Sequence, residues 1–96
     1  MSRARRVDAN HAQIIADLRN IGAAVLDVHA LPGALDLLVG WRGVLHLVEV
    51  KDGAKPPSAQ RLTPAEVATI ARFRALGCPV HSVTSGDAAL RAIGAI

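Results

Sequence analysis

The feature that most constrains this chain is the stretch Val44-Leu45-His46-Leu47-Val48-Glu49-Val50-Lys51, its longest apolar run. It is rich in β-branched residues and bounded by glycines at 43 and 53, which predicts the central strand of a sheet. Side chains alternate along a strand, so Glu49 and Lys51 share one face while Val50 turns to the core behind them. His46 has the parity of Val48 and Val50, points away from Glu49 and reads as a structural histidine. Charge at the end of so apolar a strand calls for a partner or a purpose.

The rest of the chain is punctuated clearly. Asp8 can cap a helix over 9–21, with Ile14, Ile15, Leu18 and Ile21 as its buried stripe and Gly22 as the stop. Residues 23–29 alternate as a strand, with Ala24, Leu26 and Val28 on one side and Val25, Asp27 and His29 on the other. Leu31-Pro32-Gly33 is a turn, 34–39 a second strand, and Gly40-Trp41-Arg42-Gly43 a reversal that makes the second and third strands an antiparallel hairpin. After a loop over 52–61, Thr63 as N-cap, Pro64 and Glu66 form a capping box for a helix reaching Leu76, with Gly77 as its end. Residues 79–84 make a fourth strand, and Ser85 caps a last short helix. The order αβββαβ(α) predicts an α/β fold, a mixed four-stranded sheet flanked by helices. A right-handed crossover should set strands three and four parallel.

Ninety-six residues suit one modest core, here read as a basic tail over 1–7 and a single domain over 8–96. Half the residues are hydrophobic, which excludes a disordered chain. No apolar run approaches the roughly 18 residues of a membrane span, and no signal-peptide pattern opens the sequence. A lone cysteine, Cys78, forms no internal disulfide and reads as a structural thiol. The expectation is a cytoplasmic protein of bacterial, archaeal or viral coding, with no membrane partner. Net charge is +3, and nine of the eleven basic residues are arginine, the side chain suited to bidentate contact with phosphate.

Asp36, in the strand across the hairpin, falls in the stretch that can pair around residues 46–49, so two carboxylates and an ammonium converge where the strands leave the core. Two close carboxylates repel unless a cation sits between them. Mg²⁺ or Mn²⁺ fits: it takes oxygen ligands, here Asp36, Glu49 and the Val50 carbonyl, and leaves positions for water and phosphate. Lys51 beside it can orient or help deprotonate a water and offset charge on phosphate. These are the parts needed to hydrolyse a phosphodiester, with Asp36, Glu49 and Lys51 as catalytic residues.

At these positions the sequence resembles the PD-(D/E)XK, or restriction-endonuclease-like, nucleases. It is most similar to the compact virus-type replication and repair (VRR-NUC) modules related to Holliday-junction resolvases. The resemblance rests on Gly33-Ala34-Leu35-Asp36, Glu49-Val50-Lys51, Leu62-Thr63-Pro64-Ala65-Glu66, the Phe73-containing helix and Ser85-Gly86-Asp87. It implies a restriction-endonuclease-like core, metal held by Asp36, Glu49 and Val50, and Lys51 as catalytic lysine. It further implies a DNA endonuclease, selective for branched structures such as Holliday junctions or flaps, acting as a homodimer in DNA repair or replication. The chain departs from the family at Ala34-Leu35, where a proline usually precedes the aspartate. It also has Asn10, His11 and Gln13 on the first helix where relatives often carry a glutamate, and Glu66 where they frequently have Gln. A non-catalytic nucleic-acid-binding protein that keeps the fold is the alternative.

Asn10, His11, Gln13, His29 and Glu66 are the residues expected to support the centre from around it. Arg3, Arg5, Arg6, Arg42, Lys55 and Arg61 are the expected phosphate contacts, and Trp41 a residue to stack on a base or pack on a partner. The four histidines show no zinc-motif spacing. The glycines form no dinucleotide fingerprint, and no serine has a nucleophile-elbow context.

Overall fold

The computed structural model describes residues 9–56 and 61–96. Along the chain run helix α1 (His11–Asn20), strands β1 (Ala24–Asp27), β2 (Leu37–Trp41) and β3 (Val44–Val50), helix α2 (Pro64–Ala75), strand β4 (Val80–Val83) and helix α3 (Gly86–Ala92). The sheet order is β1-β2-β3-β4. β1, β2 and β3 are antiparallel, and β4 lies parallel to β3. This is the mixed four-stranded αβββαβα arrangement that the residue pattern predicts. The expected cap at Asp8 lies outside the described residues.

Alternation in the strands divides the apolar side chains between two layers. Val25, Leu37, Val39, Val48, Val50 and Val83 pack against Ile14 and Leu18 of α1 and Ala89 and Ile93 of α3. On the opposite face Leu47, Val80 and Leu35 meet Ile70 of α2, with Leu38 and Leu62 at the margin. β3 sits between β2 and β4, and its residues from His46 onward are all buried. The charged end of this strand is therefore held by neighbours on both sides.

Several boundaries differ from the sequence expectation for identifiable reasons. The reversal is a two-residue turn at Arg42-Gly43, with Trp41 opposite Val44, and both turn residues have positive φ (49° and 81°). That is the tight hairpin connection whose twist matches the strands. Gly40 is thus a strand residue, where the Ala24 side chain of β1 approaches to 3.6 Å from where a Cβ would stand. β1 stops at Asp27 because that carboxylate accepts the backbone N–H of His29 (3.2 Å) and turns the chain. Ile21, expected in the buried stripe, is the C-cap residue of α1 and is partly exposed. Of the apolar residues of α2, Ile70 is buried while Val67 and Phe73 are exposed.

The capping box of α2 is complete: Thr63 Oγ1 accepts from Glu66 N at 3.2 Å and Glu66 Oε1 accepts from Thr63 N at 2.8 Å. α3 starts at Gly86 against α1, where an added Cβ would stand 1.8 Å from Asp17 Oδ2 and 3.1 Å from Asp17 Cβ. Gly86→Ala therefore forces α1 and α3 apart or displaces Asp17. The expected loss is about 1–3 kcal/mol of unfolding free energy, read from the denaturant midpoint.

Candidate active site

β2 begins at Leu37, opposite Val48, so the backbone of Val50 extends past the end of the β2–β3 ladder. The Asp36 side chain completes it: Oδ2 accepts the Val50 N–H at 2.8 Å in a buried hydrogen bond. Asp36 is itself fixed through its carbonyl, which accepts from Val28 N at 2.8 Å. In an extended strand a residue's N–H and C=O leave on the same side, so the Val50 carbonyl faces this edge too. One step further along the register, Glu49 is the residue opposite Asp36.

Glu49 is 1 % exposed, and on the α2 face of β3 it meets Lys51 and Glu66. Lys51 Nζ donates to Glu49 Oε2 at 3.1 Å and to Glu66 Oε1 at 3.4 Å. Glu49 Oε1 is buried without a hydrogen-bond donor. Burial pushes the Glu49 carboxyl up to about 9, helped by its hydrogen bond with Glu66 and by the charges of Asp36 and Glu66, against the opposing pull of Lys51. Glu49 thus keeps its proton when no cation stands beside it. For Glu66, burial acts upward but is outweighed by hydrogen bonds from Glu49 and Thr63 and by Lys51, which take it down to about 2. Burial would likewise lower Lys51, yet its contacts with Glu49 and Glu66 prevail and raise it, so the ammonium stays charged.

The fit to a divalent cation rests on Glu49 Oε1. It is a buried oxygen with no donor, on the residue opposite Asp36 in the strand register, and oxygen ligands of this kind suit a hard cation such as Mg²⁺ or Mn²⁺.

The other sequence-predicted residues fall in different places. Asn10 Nδ2 donates to the carbonyls of Lys51 (3.0 Å) and Thr84 (2.7 Å), tying the start of α1 to the ends of β3 and β4. Gln13 is turned to the surface, donating to Asp17 at 2.8 Å. Glu66, which the capping box alone accounts for in the sequence, also engages Lys51 and Glu49. His11 and His29 converge on Asp27: Nε2 of His11 is 3.1 Å from Oδ2, and Nδ1 of His29 is 2.5 Å from Oδ1. Burial acts to raise Asp27, but its hydrogen bonds with His29 and His11 prevail and keep it below the ordinary carboxylate range.

His11, Asp27 and His29 form a cluster capable of coordinating a divalent metal, with ligand atoms within 4.8 Å of one another. The absence of a local zinc-motif spacing did not reveal it, because a helix and a strand distant in sequence supply the ligands. The available signal was Asp27-x-His29 on one face of an otherwise apolar strand. His46 Nδ1 and His81 Nε2 lie 2.9 Å apart on adjacent strands, and burial lowers both.

Lys55 and Arg61 are exposed and flank residues 57–60. Arg42 sits at the opposite end of the hairpin, roughly 15 Å along the strands from Asp36, with its guanidinium 5.2 Å from the Trp41 ring centroid. Arg3, Arg5 and Arg6 lie outside the described residues.

A solved structure described as a VRR_NUC domain aligns over 90 % of this chain and 96 % of its own, at 28 % identity and a TM-score of 0.64. The likeness supports a PD-(D/E)XK-like nuclease module of the VRR-NUC type. No family model matches the sequence, and no curated protein does. The likeness, together with the divalent-capable cluster, supports a metal-dependent nuclease function and binding of DNA. Among the described residues, no helix is long and apolar enough to cross a membrane.

The raised Glu49 carboxyl has a pH consequence. Its folded form holds a proton that the unfolded chain, at the ordinary value of 4.5, releases, so its contribution to stability falls as pH rises from about 4.5 to about 9. Glu49→Gln removes this proton uptake. In chelator-treated protein, the stability of the variant relative to the parent is expected to increase steadily between pH 5 and 9. A pH-independent difference in paired urea titrations would contradict the protonated state.

Proposed function

We propose that the chain is a Mg²⁺- or Mn²⁺-dependent deoxyribonuclease, an endonuclease that selects DNA by shape, with branched junctions and flaps as its preferred class. The observation that carries this reading is the donor-less Glu49 Oε1 beside Asp36, with the Lys51 ammonium 3.1 Å from the same carboxylate. Asp36, Glu49 and the Val50 carbonyl would hold the ion, which neutralises the carboxylates and polarises a phosphoryl oxygen when bound. Asp36 is oriented for this by the Val50 N–H, and Glu49 by Lys51.

Lys51 has a further part in the chemistry. Pinned between Glu49 and Glu66 and held charged, it serves better as a donor to the attacking water and to developing phosphate charge than as a proton acceptor. Glu66 acts through Lys51, fixing the ammonium while capping α2. Asn10 supports the main chain at Lys51 and not the side-chain centre.

Substrate selection follows from size and charge. A nuclease domain of this size leaves little surface for reading a long base sequence, so backbone and shape contacts dominate. Lys55 and Arg61, on the segment leaving β3, are the proposed phosphate contacts. Arg42 reaches only DNA that extends along the hairpin. The protein is read as an intracellular homodimer, bringing two centres to two strands. Exposed apolar residues, among them Leu26, Leu31 and Leu45, supply contact surface for a second copy.

Labelled four-way junction, flap, duplex and single-stranded DNA, each with Mg²⁺, Mn²⁺ or EDTA, test the proposal. Metal-dependent cleavage is expected, fastest on branched substrates and abolished by EDTA. Lys51→Ala should lower the rate by about 10²–10⁴-fold with DNA binding retained. Salt-sensitive binding without cutting under any condition would instead make the chain a non-catalytic DNA-binding protein. Joint replacement of Lys55 and Arg61 by Ala should weaken binding to every DNA form alike and flatten its salt dependence by about two phosphate contacts.

A further inference from the structure

The two polar clusters at this end of the sheet lie on opposite faces. Glu49 shares the face of Leu47 and α2, whereas Asp27 pairs with Leu37, whose side chain belongs to the α1–α3 layer. His11, at the first turn of α1, comes down on Asp27 from that layer and is 5 % exposed. His29 approaches from beyond the end of β1, and its ring stands edge-on to that of His11 with centroids 5.4 Å apart. Two imidazole nitrogens and a carboxylate oxygen thus point into one small space. They come from two places in the chain, the start of α1 and the end of β1, and the aspartate lies between the two rings.

The donor set distinguishes this place from the carboxylate centre. Two imidazoles and one carboxylate favour ions of borderline softness, whereas Mg²⁺ prefers an all-oxygen shell and gives up water reluctantly. At ordinary Zn–N and Zn–O lengths of about 2.0–2.2 Å, tetrahedral ligand atoms stand roughly 3.4 Å apart. The three ligand atoms lie within 4.8 Å of one another, and the partly exposed His29 and Asp27 are the members with room to adjust beside the buried His11.

We propose that His11, Asp27 and His29 form a second metal site, separate from Asp36 and Glu49, that takes a borderline transition ion such as Zn²⁺ or Co²⁺ in preference to Mg²⁺. His11 contributes Nε2, His29 contributes Nδ1, and Asp27 contributes one carboxylate oxygen. The remaining coordination position is left to water. The site has a positioning role. Residues 28–36 run directly from it to Asp36, and Val28 N already donates to the Asp36 carbonyl at 2.8 Å. An ion at Asp27 and His29 fixes one end of the segment whose other end presents Asp36, and it staples that segment to α1.

Tag-free, chelator-treated protein titrated with Co²⁺ tests this directly, through its visible d–d absorption and the binding stoichiometry, with no reference to DNA cleavage. With excess Mg²⁺ present to occupy the carboxylate centre, one equivalent is expected to bind with a spectrum of mixed nitrogen and oxygen ligation. Excess Mg²⁺ should not displace it, and stoichiometric Zn²⁺ should. His29→Ala, chosen because His11 is buried and its replacement endangers folding, should weaken binding at least about tenfold while the circular dichroism spectrum is unchanged. Glu49→Gln should bind Co²⁺ as the parent does. Zn²⁺ should raise the melting temperature of the parent and of Glu49→Gln, and not that of His29→Ala. Undiminished binding in His29→Ala, loss of binding in Glu49→Gln, or no binding by the parent would each overturn the proposal. The last outcome would leave the three side chains as a hydrogen-bonded brace.

Discussion

The hydrogen bond from Val50 N to Asp36 Oδ2 is the contact on which the arrangement of the centre depends. β2 has ended as a strand by the time the chain runs back to Asp36, so β3 extends two residues, Glu49 and Val50, beyond its antiparallel neighbour. An unpaired buried N–H there would cost about 1–3 kcal/mol. Asp36 supplies the acceptor from its side chain at 2.8 Å, which terminates the ladder and places a carboxylate beside Glu49. The second oxygen of Asp36 and the Val50 carbonyl then belong to the same edge. Strand pairing and ligand geometry are therefore set by one contact, and a change in hairpin register would lose both together.

Glu49 follows from that placement. A carboxylate 1 % exposed, opposite another carboxylate, is intolerable as a bare anion. Lys51 answers part of the problem and the retained proton answers the rest, while Glu66 balances the lysine. The single oxygen Glu66 Oε1 accepts from both the Thr63 backbone and Lys51. The start of α2 and the position of the ammonium are consequently linked. The helix that closes the α2 face of the sheet is anchored at its first turn by the same group that holds Lys51.

What was legible in the sequence is what local chemistry decides. Thr63, Pro64 and Glu66 state the start of α2 within four residues, and the alternation from Val44 to Lys51 states which side chains share a face. The placement of Asp36 near 46–49 followed from hairpin symmetry, which survives an error of a residue or two at the turn. That error did occur: Gly40 resembles a turn residue in sequence, yet its smallness serves the approach of β1 at Ala24. Asp27-x-His29 on one strand face was legible, but the arrival of His11 at Asp27 was not. No spacing rule joins a helix residue to a strand end through packing. The second contact of Glu66 was hidden for a different reason: its capping role already explained why a glutamate stands there.

The loop between β1 and β2 connects the two faces of the sheet. Its first residues carry Asp27 and His29 on the α1 side, and its last carries Asp36 at the β3 edge. Between them, Leu31 N donates to Val28 O and Ala34 N to Leu31 O, a pair of successive turns that leaves the segment short and internally braced. β1 ends through the Asp27–His29 contact and β2 starts after Asp36, so this one segment joins the histidine cluster to Asp36. The buried His11 of α1 addresses the opposite end of this same loop from Asp36.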